Sequence, residues 1–450
     1  MTIERSMTSR SQPAQQALIP GIARLVLSAL AGAAYFGPHL TGCVPDMVFK
    51  AYAGVGVLIM AYLALSHARH PNVTGAIVAC LATTLCVTFS DLVLRPLSQR
   101  NLYYRPDEMF IRSWPPNSTL ARYVPDASFT GMTYGDLAAK TGALELRDPR
   151  EVEFVTDRNG FRNRPAAADE EIDLLLLGDS FGVGTGTTQD ETLAALLHAK
   201  YGHAVYNLSM TGNPYQELVS LIQCPADLRL KPDATVLWLL YSGNDLFGEF
   251  PEGFAPVVAG RLQQLKTRFA TFRNRSPIRE YMRRWIWRWK PAASAGMVVA
   301  KPFPGARTML FYEPYLWVRT STLSDITSYT NYPRFAATIL EMNRYTREQG
   351  WRLAVAVVPT KAEVYPWVVT GEPPWTGGSH ESGFAEAVEQ LCASNNVPFL
   401  DLQADFIVHA RQLFEDHGQL LWWYDDTHWN GQGQLLAAEV LESKLLGNRR

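Results

Sequence analysis

Hydrophobic positions fall into two regimes along this chain. Three long apolar runs come first: Ala17–Phe36, whose only charge is Arg24; Val48–Leu65, with Lys50 near its edge; and Val73–Leu94, with Asp91 near its end. Each is about as long as a helix that crosses a hydrocarbon core. The pattern predicts three transmembrane helices, the second and third forming a hairpin joined by Ser66–Asn72. A buried helical hairpin or a cleaved leader is the alternative, and Ala29–Ala34 would offer the small residues for cleavage.

From Ile172 onward the pattern changes. Short apolar runs of strand length alternate with segments at helical spacing. Strands are predicted at Ile172–Leu177, Ala204–Leu208, Thr235–Tyr241, Leu353–Val358 and Val397–Leu400. Helices are predicted at Glu191–Lys200, Pro214–Leu221, Gly383–Ala393 and Gly433–Leu445. Such alternation specifies an α/β domain with a parallel sheet flanked by helices. The expected organisation is a membrane anchor over 1–95, a connector over 96–150 and a catalytic domain over 151–450. Within the last, Glu151–Asn163 reads as an edge element without chemistry, ending at a Thr-Asp-x-x-Gly turn.

An excursion over about 250–347 interrupts the alternation. Inside it, Arg273–Lys290 holds seven Lys and Arg against one acid, Glu280. Ile278, Tyr281, Met282, Trp285 and Trp289 would share one helical face. That composition suits a helix lying in a membrane interface. It equally suits one that packs its tryptophans on the domain or a partner protein.

Charge adds orientation. The tail before the first run carries Arg5 and Arg10, and the loop after the second carries Arg69. Gly37–Met47 carries no Lys or Arg. The positive-inside rule then puts the N-terminus in the cytoplasm and, after three crossings, the large domain outside. The whole chain has 450 residues and a formal net charge of −2, so nothing points to nucleic acid. Cys43, Cys80 and Cys86 fall in or beside the apolar runs; Cys224 and Cys392 are expected as separate thiols or a disulfide. No cysteine spacing suggests a zinc site.

Candidate chemistry lies at strand ends. Gly178-Asp179-Ser180-Phe181 follows the first predicted strand, Ser209-Met210-Thr211-Gly212 the second and Ser242-Gly243-Asn244-Asp245 the third. In an open parallel sheet, ligands bind outside the carboxyl ends of the strands. Near the C-terminus stands Asp425-Asp426-Thr427-His428-Trp429. A serine hydroxyl becomes a useful nucleophile when a base takes its proton and a third group orients that base. Ser180, His428 and either Asp425 or Asp426 supply the three members. The amides of Ser180 and Gly212 and the carboxamide of Asn244 supply donors for an oxyanion.

These four blocks resemble the SGNH (GDSL-type) hydrolase superfamily over roughly Glu171 to Leu445. The resemblance implies a flavodoxin-like three-layer α/β/α domain, with Ser180 as nucleophile, His428 as general base and Gly212 and Asn244 in the oxyanion hole. Most members use Asp-x-x-His, which points to Asp425. The alginate O-acetyltransferase branch uses Asp-x-His, and Asp426-Thr427-His428-Trp429 is similar to that version. Asp179 is expected to brace the nucleophile turn. Asp179, Asp245, Lys361 and Trp429 are candidate substrate contacts, Lys361 because Pro359-Thr360-Lys361 resembles a feature of sugar-acetylating members. This chemistry requires no metal or organic cofactor.

A membrane anchor, an extracytoplasmic domain and the Asp-Thr-His-Trp motif together resemble polysaccharide O-acetylation machinery. That implies a carbohydrate substrate and a multispanning membrane partner that hands over the acyl group. A carbohydrate esterase or lipase uses the same residues with water as the acceptor. A non-catalytic glycan-binding or assembly protein is the reading from a different class.

Overall fold

The protein is described from a computed structural model covering Ser90 and residues 105–113, 120–141, 144–248, 250–251, 253, 297–304, 307–375 and 382–447. The predicted transmembrane runs, apart from Ser90, and the Arg- and Trp-rich stretch 273–290 lie outside the described residues. Among the described residues no helix is long and apolar enough to cross a membrane.

Two short antiparallel ribbons come first. Strand β1 (Ile111–Ser113) pairs with β2 (Ala121–Tyr123), and β3 (Ser128–Thr133) with β4 (Arg150–Val155). Helix α1 (Asp136–Thr141) lies between β3 and β4 in the chain. The described residues of the stretch expected as a connector, 96–150, thus include β1, β2, β3 and α1. Within Glu151–Asn163, strand β4 pairs with β3 in a separate ribbon and, among the described residues, takes no place in the main sheet.

The main sheet has five parallel strands: β5 (Glu171–Leu177), β6 (Val205–Asn207), β7 (Arg229–Tyr241), β10 (Arg352–Val358) and β11 (Phe399–Asp401). Between β7 and β10 the chain makes a hairpin of β8 (Val298–Phe303) and β9 (Arg307–Tyr312). The spatial order is β6-β5-β7-β10-β11. Numbered within the sheet alone this is 2-1-3-4-5, the flavodoxin-like order, with its topological switch between β5 and β7.

The strands read as apolar runs because both faces are covered. Successive side chains point to opposite faces. Ile172, Leu175 and Leu177 join one core with Val236, Trp238 and Leu240, while Leu174 and Leu176 join the other with Leu237 and Leu239. Helices α4 (Pro214–Ile222), α5 (Tyr332–Glu348) and α6 (Gly383–Ser394) cover the first face through residues such as Leu218, Phe335 and Phe384. Helices α3 (Leu193–Tyr201), α7 (Gln403–His417) and α8 (Gly431–Leu441) cover the second through Leu197, Phe406 and Ala437. This is the three-layer arrangement. Helix α5 was hidden in the expected excursion, although Phe335, Ile339 and Met342 are its buried stripe. Cys224 and Cys392 are free thiols.

Candidate active site

Strand β5 delivers the serine. It ends at Leu177, and Gly178-Asp179 leads straight into the single turn α2 (Ser180–Val183). A side chain at Gly178 would press on Leu239 of the neighbouring strand. Asp179 caps the turn: its carboxylate accepts the Phe181 amide at 2.8 Å. Arg162 closes the other end, donating to the carbonyls of Val183 (3.2 Å) and Gly184 (2.7 Å). Gly184 adopts φ 74°, the left-handed conformation that glycine tolerates at a helix end. Ser180 is thus fixed at a strand-to-helix corner, half-exposed, beside the switch point.

His428 meets it from the C-terminal block. Ser180 Oγ lies 2.7 Å from His428 Nε2, and His428 Nδ1 lies 2.7 Å from Asp426 Oδ1. With the ring proton on Nδ1 donated to the carboxylate, Nε2 accepts the serine hydroxyl. Phe181 packs on the imidazole, ring centroids 5.0 Å apart, so the base cannot tilt freely.

The two adjacent aspartates have different work. Asp425 accepts the amides of Gly135 (2.6 Å) and Asp148 (2.9 Å), and Nη1 of Arg150 at 3.0 Å. Its carbonyl accepts the amides of Leu137 and Ala138, at the start of α1. It fastens α1 and the start of β4 to the loop, and burial raises its carboxyl above the usual range against the pull of Arg150. Asp426 faces His428. Burial pushes its carboxyl upward too, but Arg105, His428 and Arg150 outweigh that and hold it well below the ordinary carboxylate range. It stays ionised beside the base.

The loops after β6 and β7 border this corner. The Met210 amide donates to the Gly178 carbonyl at 3.1 Å. A side chain at Gly182 would collide with Ser209 Oγ. Gly212 is two residues beyond Met210. Asn213, next along, abuts Gly248 at the far end of the turn that begins with Asn244. The three strand-end loops are therefore contiguous, which sets Gly212 and Asn244 on the loops flanking the serine turn. The Asn244 carboxamide oxygen is buried without a hydrogen-bond partner among the described residues.

Four expected substrate contacts are packed inside. Asp179 is buried, and its carboxylate is the cap described above. Asp245 is buried and accepts the Tyr241 amide at 2.7 Å. Trp429 is buried against Phe181, Phe406 and Trp422, anchoring the residue after the histidine in the core. Lys361 begins a short helix, and its Nζ donates to the carbonyls of Leu310 (3.0 Å) and Trp423 (2.8 Å). Burial lowers its ammonium to about 8 although Asp426, Asp425 and Asp136 oppose this. Together with Tyr241, Tyr312, Tyr315 and Thr427, Lys361 lines a recess between β9 and α1.

Other residues at the site lay in stretches read as connector or edge. Arg105, Asp136 and Arg150 all reach the Asp426–His428 pair or its loop. Asp136 accepts the Thr427 amide at 2.9 Å and the Thr427 hydroxyl at 3.1 Å. Arg150 Nη2 donates to Asp426 Oδ2 at 2.6 Å. A signal for Arg150 existed: in β4 it shares the inward phase of Val152 and Phe154, an arginine where an apolar residue is expected. Asp136, Asp426 and His428 each bring one donor atom within 4.8 Å of the others, a spacing that can hold a metal ion. Arg105 lies against all three, so a guanidinium already supplies positive charge there.

A serine, an imidazole and an ionised carboxylate in line can split an acyl ester through a covalent intermediate. No curated protein sequence matches the chain. Among solved structures it is similar to the X-ray crystal structure of protein YXIM_BACsu from Bacillus subtilis, at 12% identity over 67% of this chain and 69% of that one, with a TM-score of 0.33. The family of GDSL-like lipases and acylhydrolases matches residues 176–436, which span the serine turn, the histidine block and all five strands of the main sheet but most of β5, and the chain belongs to that family.

Proposed function

We propose that this esterase-type enzyme transfers acetyl groups to carbohydrate outside the cytoplasm, anchored by the three N-terminal apolar runs. The observation that carries the chemistry is the line from Ser180 Oγ to His428 Nε2 and from Nδ1 to Asp426, both links 2.7 Å. Ser180 attacks the acyl carbonyl, and its proton passes to Nε2. Asp426 stabilises the imidazolium that forms. Donors from the Ser180 and Gly212 amides and the Asn244 carboxamide receive the oxyanion. Collapse of the tetrahedral species expels the donor's alcohol with the proton from His428, leaving acetyl-Ser180. In the second half His428 removes a proton from a sugar hydroxyl, which attacks the acetyl-serine and frees Ser180.

The recess beside Thr427 has room for little more than a water, so the carbohydrate acceptor rests on the sequence pattern. The anchor, the extracytoplasmic placement and a multispanning acyl-donating partner rest on the sequence pattern. Family membership favours water as the acceptor, which would make the protein a carbohydrate esterase or lipase.

The full-length chain, incubated with an activated acetyl ester and candidate oligosaccharides, separates these readings. Mass spectrometry should find acetyl on the sugar with wild type and none with Ser180→Ala. Acetyl released only as acetate would replace transfer by hydrolysis. Absence of any Ser180-dependent turnover would leave a glycan-binding protein. Resistance of the full chain to alkaline extraction from membranes, and protease access to the domain from outside, check the anchor and its orientation.

A further inference from the structure

A charged segment beside the Asp426–His428 pair lies outside the region shared with the family, residues 176–436. Arg105 is buried just before a short helical turn at Pro106–Met109. Its Nη1 stands 3.7 Å from Asp426 Oδ1, the same oxygen that takes the His428 Nδ1 proton, and 3.9 Å from Asp136 Oδ1. Its Nη2 stands 3.5 Å from His428 Nδ1 itself. Asp107 holds the segment in place from the other side, accepting the Thr185 hydroxyl at 3.0 Å just beyond the serine turn.

A second arginine does not make this one redundant. Arg150 divides its guanidinium between Asp425 Oδ1 and Asp426 Oδ2, so it touches the outer oxygen of Asp426 and not the one that serves the histidine. Arg105 alone of the two reaches the shared oxygen and the ring. We propose that Arg105 is a positioning residue for the triad: it holds Asp426 ionised and aimed at Nδ1, and its charge, 3.5 Å from the ring, opposes a second proton there. The proposal rests on the triad reading given above.

The surroundings fix the sign. Facing His428 are Asp426, Asp136 and Asp179 as anions and Arg105 as the cation. Facing Asp426 are Arg105, Arg150, Lys361 and the neighbouring Asp425. Arg105 and Arg150 contact the carboxylates of Asp136, Asp425 and Asp426, Arg105 also stands within 4.0 Å of Asp107 and Glu108, and Lys140 pairs with Asp136 at 3.0 Å. Removing Arg105 would deepen the negative field and let the ring bind a proton from water too early. Removing Asp136 would do the reverse.

The test is the pH dependence of kcat/KM for an activated acetyl ester, on the full-length chain, with Ser180→Ala as the blank. Arg105→Gln should move the acidic limb to higher pH by about one unit, the low end of what one nearby charge does. The rate would fall roughly tenfold on the limb and recover on the alkaline plateau. Arg105→Lys should stay close to wild type, and Asp136→Asn should move the limb the other way. The rate of Ser180 labelling by a fluorophosphonate, followed over the same pH range, reads the same limb without turnover of any substrate. A uniform loss at every pH in Arg105→Gln, or an unmoved limb in both variants, would overturn the proposal. Turnover and labelling that survive Ser180→Ala would instead remove the triad reading on which it stands.

Discussion

Asp426 and His428 are two residues apart in sequence and 2.7 Å apart in space, while Asp425, one residue further back, spends both its oxygens on α1, β4 and the turn before it. The backbone rotates between the two aspartates, so neighbouring carboxylates serve different elements.

Two substitutions should therefore separate cleanly. Asp426→Asn presents an amide to Nδ1 and disturbs the tautomer, which costs about 10⁴-fold in kcat in comparable triads. Asp425→Asn should keep most of the rate and lose stability, about 3 kcal/mol for breaking a buried charge pair. Initial rates and denaturant midpoints on the same preparations decide it. Equal loss of rate in both variants at unchanged stability would return Asp425 to the site.

Gly182 and Ser209 should behave as a coupled pair. A methyl at Gly182 would overlap the Ser209 hydroxyl, and Gly182 also offers its carbonyl to Asn207 Nδ2 at 2.9 Å. Gly182→Ala would push the serine turn away from the β6 loop, with overpacking costing about 1–3 kcal/mol. Adding Ser209→Gly should restore a good part of both stability and turnover. A double variant no better than the sum of its parts would show that the two loops do not press on each other here.

The sheet was legible because its strands are buried on both faces and so appear as unbroken apolar runs; β5, β7 and β10 were found within a residue or so at their C-terminal ends. Those ends carry Ser180, Gly212 and Asn244; His428 was named from the separate Asp-Asp-Thr-His block, and the structure brings it to Ser180. Lys361 and Trp429 were expected to face substrate, and a linear motif does not say which side of the chain is covered: Trp429 is buried, and three carbonyls surround the Lys361 ammonium. Arg105 was invisible for the opposite reason: its meaning lies in an oxygen more than three hundred residues away.

Lys361 should prove a structural tie. Its ammonium links β9 to the Trp423-Tyr424 stretch just before Asp425. Lys361→Met would leave buried carbonyls without donors, each worth about 1–3 kcal/mol. A fall in Tm with KM for the sugar acceptor changed less than a few-fold is expected. A large rise in KM at wild-type Tm would make Lys361 a substrate contact after all.

Glu217 sets a slope of stability against pH. It is buried on α4, with Trp238 Nε1 donating to its Oε2 at 2.5 Å and its Oε1 unpartnered among the described residues. Burial, helped by the nearby Asp179 charge and opposed by the Trp238 bond, raises its carboxyl well above the ordinary 4.5. In the folded protein it therefore keeps its proton at pH values where the unfolded chain has lost it. Its contribution to stability is complete below about pH 4.5 and is lost as pH rises through the folded value, at roughly 1.4 kcal/mol per pH unit between the two. Asp426, depressed in the fold, acts with the opposite sign, and its contribution is lost on acidification. Glu217→Gln keeps an oxygen for Trp238 and removes the titration. Its stability should match wild type near pH 4 and exceed it increasingly toward pH 8, as measured by denaturant midpoints across that range. A variant that follows the wild-type slope would mean that Glu217 titrates in the folded protein much as it does in the unfolded chain.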